Sequence, residues 1–194
     1  MRFAALLLFT YLAGSVNFAI IALRLLGKED PRTKFSGNAG TTNVYRQAGW
    51  GWAALVLLLD VGRAAALAVL ATALLPFAHV PWIGLALVVG NRFPCFHGFR
   101  GGKGVASYLG FVLPISPWGA AAACLAWVAV HRLVRIPFVA SFCMILVLGR
   151  SVAAAGGTDV LSIAGTVATV ALIVFNHRRN IAALLDERRR KKRE

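Results

Sequence analysis

The feature that most constrains this chain is a succession of long, nearly uncharged apolar runs, separated by short segments that carry almost all of the Lys and Arg. Residues Phe3 to Leu26 are interrupted by charge only at Arg24, and comparable runs follow from about Trp50 to Phe77, Trp82 to Val89, Val105 to Leu113, Trp118 to Val130, Phe138 to about Ala155 and Leu161 to Phe175. With 59% apolar and 14% charged residues in 194, the chain is far from the roughly 45–50% apolar and about 25% charged make-up of soluble domains. A single small core cannot bury that much apolar surface, so lipid is its solvent. An ordinary water-soluble enzyme and a disordered chain are both excluded.

The net charge of +14 would suggest nucleic acid in a soluble protein. Here the cations sit in the connections, where the positive-inside rule and anionic headgroups account for them, and no nucleic-acid partner is expected. The first run imitates a signal peptide around Ala13-Gly14-Ser15, but its apolar character continues beyond that point, so it is read as a retained span. Arg24, Lys28, Arg32 and Lys34 follow the run while Arg2 alone precedes it, which places the N-terminus outside. Alternating from there gives an all-α polytopic membrane protein with seven crossings and a cytoplasmic C-terminus, every Lys/Arg-rich loop lying on the cytoplasmic side. Residues 1–187 form the membrane domain and 188–194 a basic cytoplasmic tail.

The third, fourth and fifth runs are short. About ten helical residues rise only ~15 Å against ~30 Å of hydrocarbon. Irregular backbone at that depth must be enclosed by protein or line a wet cavity. The polar, glycine-rich stretch from Gly90 to Gly104 is therefore expected to sit recessed in the cytosolic half of the membrane, as a candidate site.

Three polar constellations share that side. The first runs from Ser36 to Arg46: Ser36, Gly37, Asn38, Gly40, Thr41, Asn43 and Arg46 combine flexible backbone amides with neutral hydrogen-bonding groups and one fixed charge, the composition of an anion nest at a helix start. The second surrounds Lys103 with Gly101, Gly102 and Gly104. It is not a nucleotide P-loop, because that motif requires Ser or Thr after the lysine. The third is His177-Arg178-Arg179-Asn180-Ile181, in which His177 and Asn180 share a helical face. Asp60 and Arg63, three apart inside an apolar run, read as a structural ion pair. Cys95, Cys124 and Cys143 show no CxxC spacing and predict no zinc, haem or disulfide framework. No metal or cofactor is expected.

Together these blocks resemble the PlsY-type membrane glycerol-3-phosphate acyltransferases. The resemblance is carried by Gly14-Ser15, by Ser36 to Arg46, by Phe99-Arg100-Gly101-Gly102-Lys103-Gly104-Val105-Ala106, by Arg135 with Ser141 six residues on, and by His177 to Ile181. It implies the seven-span fold and a multi-pass location in a bacterial inner membrane, with the active site facing the cytoplasm. The implied reaction is acyl transfer from acyl-phosphate to glycerol 3-phosphate, yielding lysophosphatidate and phosphate. The enzyme that supplies acyl-phosphate is then a candidate partner. Lys103, Ser141, His177 and Asn180 become the catalytic candidates, with either His177 or the substrate's own phosphate as base. Ser36, Gly37, Asn38, Gly40, Thr41, Asn43, Arg46, Gly101, Gly102 and Gly104 become the substrate-binding candidates.

The sequence departs from the family pattern at Arg63-Ala64 (usually Lys-Gly), Asn91 (usually His), Pro137-Phe138 (usually two serines) and Arg189 (usually Glu). Two other classes stay open: a catalytically weakened homologue that binds lipid precursors or a partner enzyme, and a phosphate or organic-anion transporter, against which stands the placement of all polar motifs on one side.

Overall fold

The computed structural model describes residues 1–191. These residues form nine α-helices: α1 (Arg2–Ser15), α2 (Phe18–Leu25), α3 (Thr41–Leu74), α4 (Val80–Arg92), α5 (Val105–Val112), α6 (Pro117–Val134), α7 (Pro137–Gly156), α8 (Val160–Asn176) and α9 (Arg178–Lys191). Among the described residues there is no strand. Four segments are long and apolar enough to cross a membrane: α1 with α2, α3, α6 and α7. A fifth is formed if α8 and α9, bent by 47° at His177, are taken as one.

The first apolar run is not one helix. It breaks at Val16 and restarts at Asn17, whose Oδ1 accepts the Ile20 amide at 3.0 Å and caps α2. At the break the Ala13 carbonyl accepts only the Val16 amide, at 3.2 Å, and the Val16 carbonyl has no partner within the helix. The Arg63 guanidinium of α3 donates to both, and also to Asp60 Oδ1 at 2.9 Å. The Asp60–Arg63 pair is thus structural, as its spacing predicted, and it braces a broken helix as well as its own.

α4 and α5 are short, at 13 and 8 residues, or ~20 and ~12 Å long. They survive because they are enclosed. Gly14 lets α1 approach α4 so closely that a Cβ there would lie 2.6 Å from Leu87 O. Gly110 brings α5 equally close to Val61 of α3, the small-residue contact by which helices pack in lipid. Ile83, Leu87 and Phe111 are fully buried between them. The large exposed side chains, such as Leu58, Leu125, Leu133, Leu146 and Val167, lie on the outer helices, where lipid takes the place of a core.

The fifth run differs from expectation. α6 is 18 residues long, ~27 Å, because His131 to Val134 continue the helix until Arg135 adopts φ 58°. α3 also contains a kink, at Gly49 (φ 80°), which separates its first two turns from the apolar part. The expected basic tail, 188–194, begins inside α9; residues 188–191 continue that helix, and 192–194 lie outside the described residues.

Candidate active site

The loop before α3 is organised by two asparagines. Asn43, buried in the first turn of α3, reaches the carbonyls of Pro31, Lys34 and Asn38 through Nδ2 at 2.9–3.2 Å, and its Oδ1 accepts the Ser36 hydroxyl at 3.1 Å. Asn17 donates to Ala39 O at 3.3 Å, fixing the same loop to the break in the first span. The loop surrounding Lys103 is then tied to it by Arg32. That guanidinium pairs with Asp30 at 2.6 Å and donates to His97 O at 2.6 Å and Arg100 O at 3.1 Å. Arg32 also holds the Asp30 carboxyl below its ordinary range.

The second loop folds back on the end of α4. The Gly101 amide donates to Arg92 O at 3.1 Å and the Gly102 amide to Asn91 O at 2.9 Å. Gly102 is pressed between Asn91 and the first loop: a Cβ there would stand 2.6 Å from Asn91 Oδ1 and 2.9 Å from Ala39 O. Gly104, at φ 92°, opens α5 against Val88. Lys103 is thereby aimed across the bundle at the third motif. Its Nζ donates to Asn180 Oδ1 at 2.6 Å, and its carbonyl accepts Asn176 Nδ2 at 3.2 Å.

The three loops close around a narrow cleft of about 40 Å³ that opens to solvent. Ser36, Gly37 and Asn38 line one wall, Arg92, Gly101, Gly102 and Lys103 another, and Asn176, Arg178, Arg179 and Asn180 the third. Four of these residues are cationic, and no carboxylate among the described residues lines the space. Burial lowers the Lys103 ammonium to a pKa of about 8. A site with this charge and this supply of amides selects anions carrying several oxygens.

The sequence-predicted residues separate into three groups. Ser36, Gly37, Asn38, Gly101, Gly102, Lys103 and Asn180 line the cleft. Gly40, Thr41, Asn43, Gly104 and His177 stand behind it. Gly40 is the N-cap of α3, and the Thr41 hydroxyl is buried with no partner among the described residues. His177 caps α8 and is 2% exposed. Its Nδ1 lies 2.8 Å from Ile173 O. A carbonyl only accepts, so Nδ1 carries the hydrogen and Nε2 is the free acceptor of a neutral ring. Phe142 meets the ring edge-on at 5.2 Å. Arg46 and Ser141 lie away from the cleft lining. Arg46 is exposed, with its guanidinium 5.5 Å from the Phe35 ring centroid. Ser141 donates to Pro137 O at 3.1 Å and accepts Trp127 Nε1 at 3.4 Å.

A family model for glycerol-3-phosphate acyltransferase matches residues 4–187. The chain belongs to the glycerol-3-phosphate acyltransferase family. Proteins named glycerol-3-phosphate acyltransferase from Thioalkalivibrio sulfidiphilus and Myxococcus xanthus are 39% and 40% identical to it, covering 94% and 93% of this chain and 90% and 95% of their own lengths. Two crystal structures of PlsY (YgiH), an integral membrane glycerol 3-phosphate acyltransferase, superpose on it. The glycerol 3-phosphate form gives a TM-score of 0.88 at 34% identity, and the lysophosphatidic acid form 0.87 at 33%; each match covers 97% of this chain and 94% of the other.

Sequence reasoning passed over Asn17, Arg32, Arg92, Asn176, Arg178 and Arg179 as site-building residues of this acyltransferase. Asn17 and Asn176 carried a signal, each being a polar residue at the edge of an apolar run. Arg32 and Arg92 carried none beyond a loop charge, since their roles depend on which loops meet.

Proposed function

We propose that the protein transfers an acyl group from acyl-phosphate to the primary hydroxyl of glycerol 3-phosphate. The observation that carries this reading is the convergence of three distant motifs on one cleft with four cations and, among the described residues, no lining carboxylate. Both substrates carry a phosphoryl group, and the two must approach within bonding distance of their reacting atoms. The hydroxyl oxygen forms the new ester bond to the acyl carbon. The bond from that carbon to the phosphate oxygen breaks, and inorganic phosphate leaves with the electron pair. The proton passes to His177 Nε2 or to a substrate phosphate oxygen.

The mixed anhydride is already activated, so positioning and charge stabilisation are the protein's contribution. Lys103, held by Asn180, neutralises phosphate charge. The Gly37, Gly101 and Gly102 amides are spent on the Lys34, Arg92 and Asn91 carbonyls, so these glycines shape the cleft and the side-chain amides of Asn38 and Asn180 take phosphate oxygens beside Lys103. Ser141 and Arg46 would join only through rearrangement of their present contacts. In this reading the chain crosses a bacterial inner membrane seven times, α4 and α5 counting as short crossings, with the cleft facing the cytoplasm. The enzyme that makes acyl-phosphate is its natural neighbour.

The family's usual lysine is replaced by Arg63 at the helix brace, where a guanidinium satisfies two carbonyls and Asp60. This departure therefore lies in the scaffold. The deciding experiment supplies purified protein with palmitoyl-phosphate and glycerol 3-phosphate and follows phosphate release. Release that requires both substrates supports the reading. Equal rates with palmitoyl-CoA, or release without glycerol 3-phosphate, overturn it.

A further inference from the structure

We propose that Arg92, Arg178 and Arg179 form a second phosphoryl-anion seat in the cleft, separate from the Lys103–Asn180 pair. The inference rests on the acyl-transfer reading for the identity of its occupant, but the seat itself is argued from charge and geometry.

The three guanidiniums come from two elements that meet only in the folded chain. Arg92 is the last residue of α4, half-buried, with its guanidinium 5.1 Å from the Phe93 ring centroid. Its Nε is shielded from solvent and has no hydrogen-bond partner among the described residues. Arg178 opens α9, lies 4.2 Å from the centroid of Phe175 and donates to Phe175 O at 3.3 Å. Arg179 follows it, and both line the same cleft as Arg92. The ring contacts restrain both guanidiniums, and a restrained guanidinium fork is suited to binding phosphate through two oxygens.

The electrostatics are unbalanced without an anion. Arg178, Arg179 and Arg100 are the charges that act on Arg92, and all have the same sign. Arg178 and Arg179 also occupy the first turn of α9, the positive end of the helix dipole, where no acidic residue accompanies them. Cations there are unfavourable for the helix. A phosphoryl dianion would satisfy the helix amides and the guanidiniums together. One lysine cannot offset two phosphoryl groups brought side by side, and the guanidinium set supplies the remaining charge.

The occupant is a phosphate monoester, an acyl phosphate or free orthophosphate; an anionic lipid headgroup shares the same chemistry. The test uses the full chain in neutral phosphatidylcholine nanodiscs, with orthophosphate as probe. Binding is measured with radiolabelled orthophosphate and, in the acyltransfer assay, as its inhibition constant. Arg92→Gln and Arg179→Gln should each weaken orthophosphate about tenfold, the typical loss of a charge-assisted contact, and the double variant should weaken it further. Arg132→Gln, on exposed α6 outside the cleft, should change nothing. Competition against glycerol 3-phosphate or against acyl-phosphate identifies which substrate uses the seat, and either supports the proposal. Orthophosphate binding within twofold of the unaltered protein overturns it. So does an effect confined to discs containing phosphatidylglycerol, which would assign the rim to headgroups. If Arg92→Gln fails to fold, Arg179→Gln on its exposed turn tests the same seat. If the unaltered protein acylates nothing, the acyl-transfer reading fails, and direct binding still decides the seat.

Discussion

The Lys103 ammonium donates to Asn180 Oδ1 at 2.6 Å, joining the second and third polar motifs across 77 residues of sequence. This contact fixes the one lysine of the cleft at its floor, and it gives Asn180 a positioning role in addition to any contact with substrate. Lys103→Ala should cut turnover by ~10²–10³, the usual loss for one transition-state charge contact, with the melting temperature nearly unchanged. Asn180→Ala should cost less in kcat and leave the lysine mobile. Activity above half of normal in Lys103→Ala removes the residue from the site.

Burial sets a pH dependence. Lys103, lowered to about 8, is charged below that pH and neutral above it. The kcat/KM for glycerol 3-phosphate should be level below about pH 7 and fall tenfold per unit above about 8, since this parameter reports the free enzyme. Saturating phosphate substrates favour the charged form, so the limb in kcat should lie at higher pH. Lys103→Arg, permanently charged, should lose the alkaline limb whatever rate it retains. A limb that persists in that variant belongs to another group.

Gly101 and Gly102 are placed by contact, since neither has a positive φ. A methyl at Gly101 runs into Asn91 O, and one at Gly102 meets Asn91 Oδ1 at 2.6 Å and Ala39 O at 2.9 Å. Gly102→Ala should move Lys103 and reduce kcat at least tenfold, as displacements of this kind do. Asn91→Gly should recover part of the loss by removing the side chain that blocks the methyl. No recovery in the paired variant would point to Ala39 as the contact that matters.

How much of this was legible in sequence depends on the kind of information each residue carries. The apolar helices and the shortness of α4 and α5 followed from hydropathy and helix rise alone. The helix break at Val16 did not, because Asn17 is one polar residue in an apolar run and its capping role needs Ile20 in place. Motif spacing identified Lys103 and Asn180 but could not separate Ser36, which lines the cleft, from Asn43, which holds the loop behind it. Ser141 was selected by resemblance and Arg46 as the fixed charge of the first loop, and their present partners are Trp127, Pro137 and Phe35. Arg92 carries no sequence signal beyond its charge in a basic connection. Only the return of Gly101 along α4 shows that it faces α9.

The orientation of the cleft is open to chemical labelling. In a variant with Cys95, Cys124 and Cys143 replaced, a cysteine at Thr158 in the α7–α8 turn should react with an impermeant maleimide added to intact spheroplasts. One at Lys28, in the basic loop before α3, should react only after permeabilisation. The reverse pattern would place the cleft outside and separate it from cytosolic glycerol 3-phosphate.

Arg63 offers the sharpest test of the scaffold. Its guanidinium serves three acceptors at once, Asp60 Oδ1 and the carbonyls of Ala13 and Val16, and the Asp60 and Arg63 side chains are only 10% and 11% exposed. Removing it orphans the Val16 carbonyl, leaves Ala13 O with the Val16 amide alone and leaves a buried carboxylate unpaired. Breaking a buried pair from one side typically costs ~3–5 kcal/mol. Arg63→Met should therefore lower the thermal midpoint in detergent more than any variant proposed for the cleft. Arg63→Lys keeps the charge but has a single nitrogen to share, so it should fall between. Adding Asp60→Asn to Arg63→Met should restore part of the loss, because the unpaired charge is gone while the Val16 carbonyl remains unsatisfied. Equal midpoints for Arg63→Met and the unaltered protein would mean that the α1–α2 break is held by packing alone.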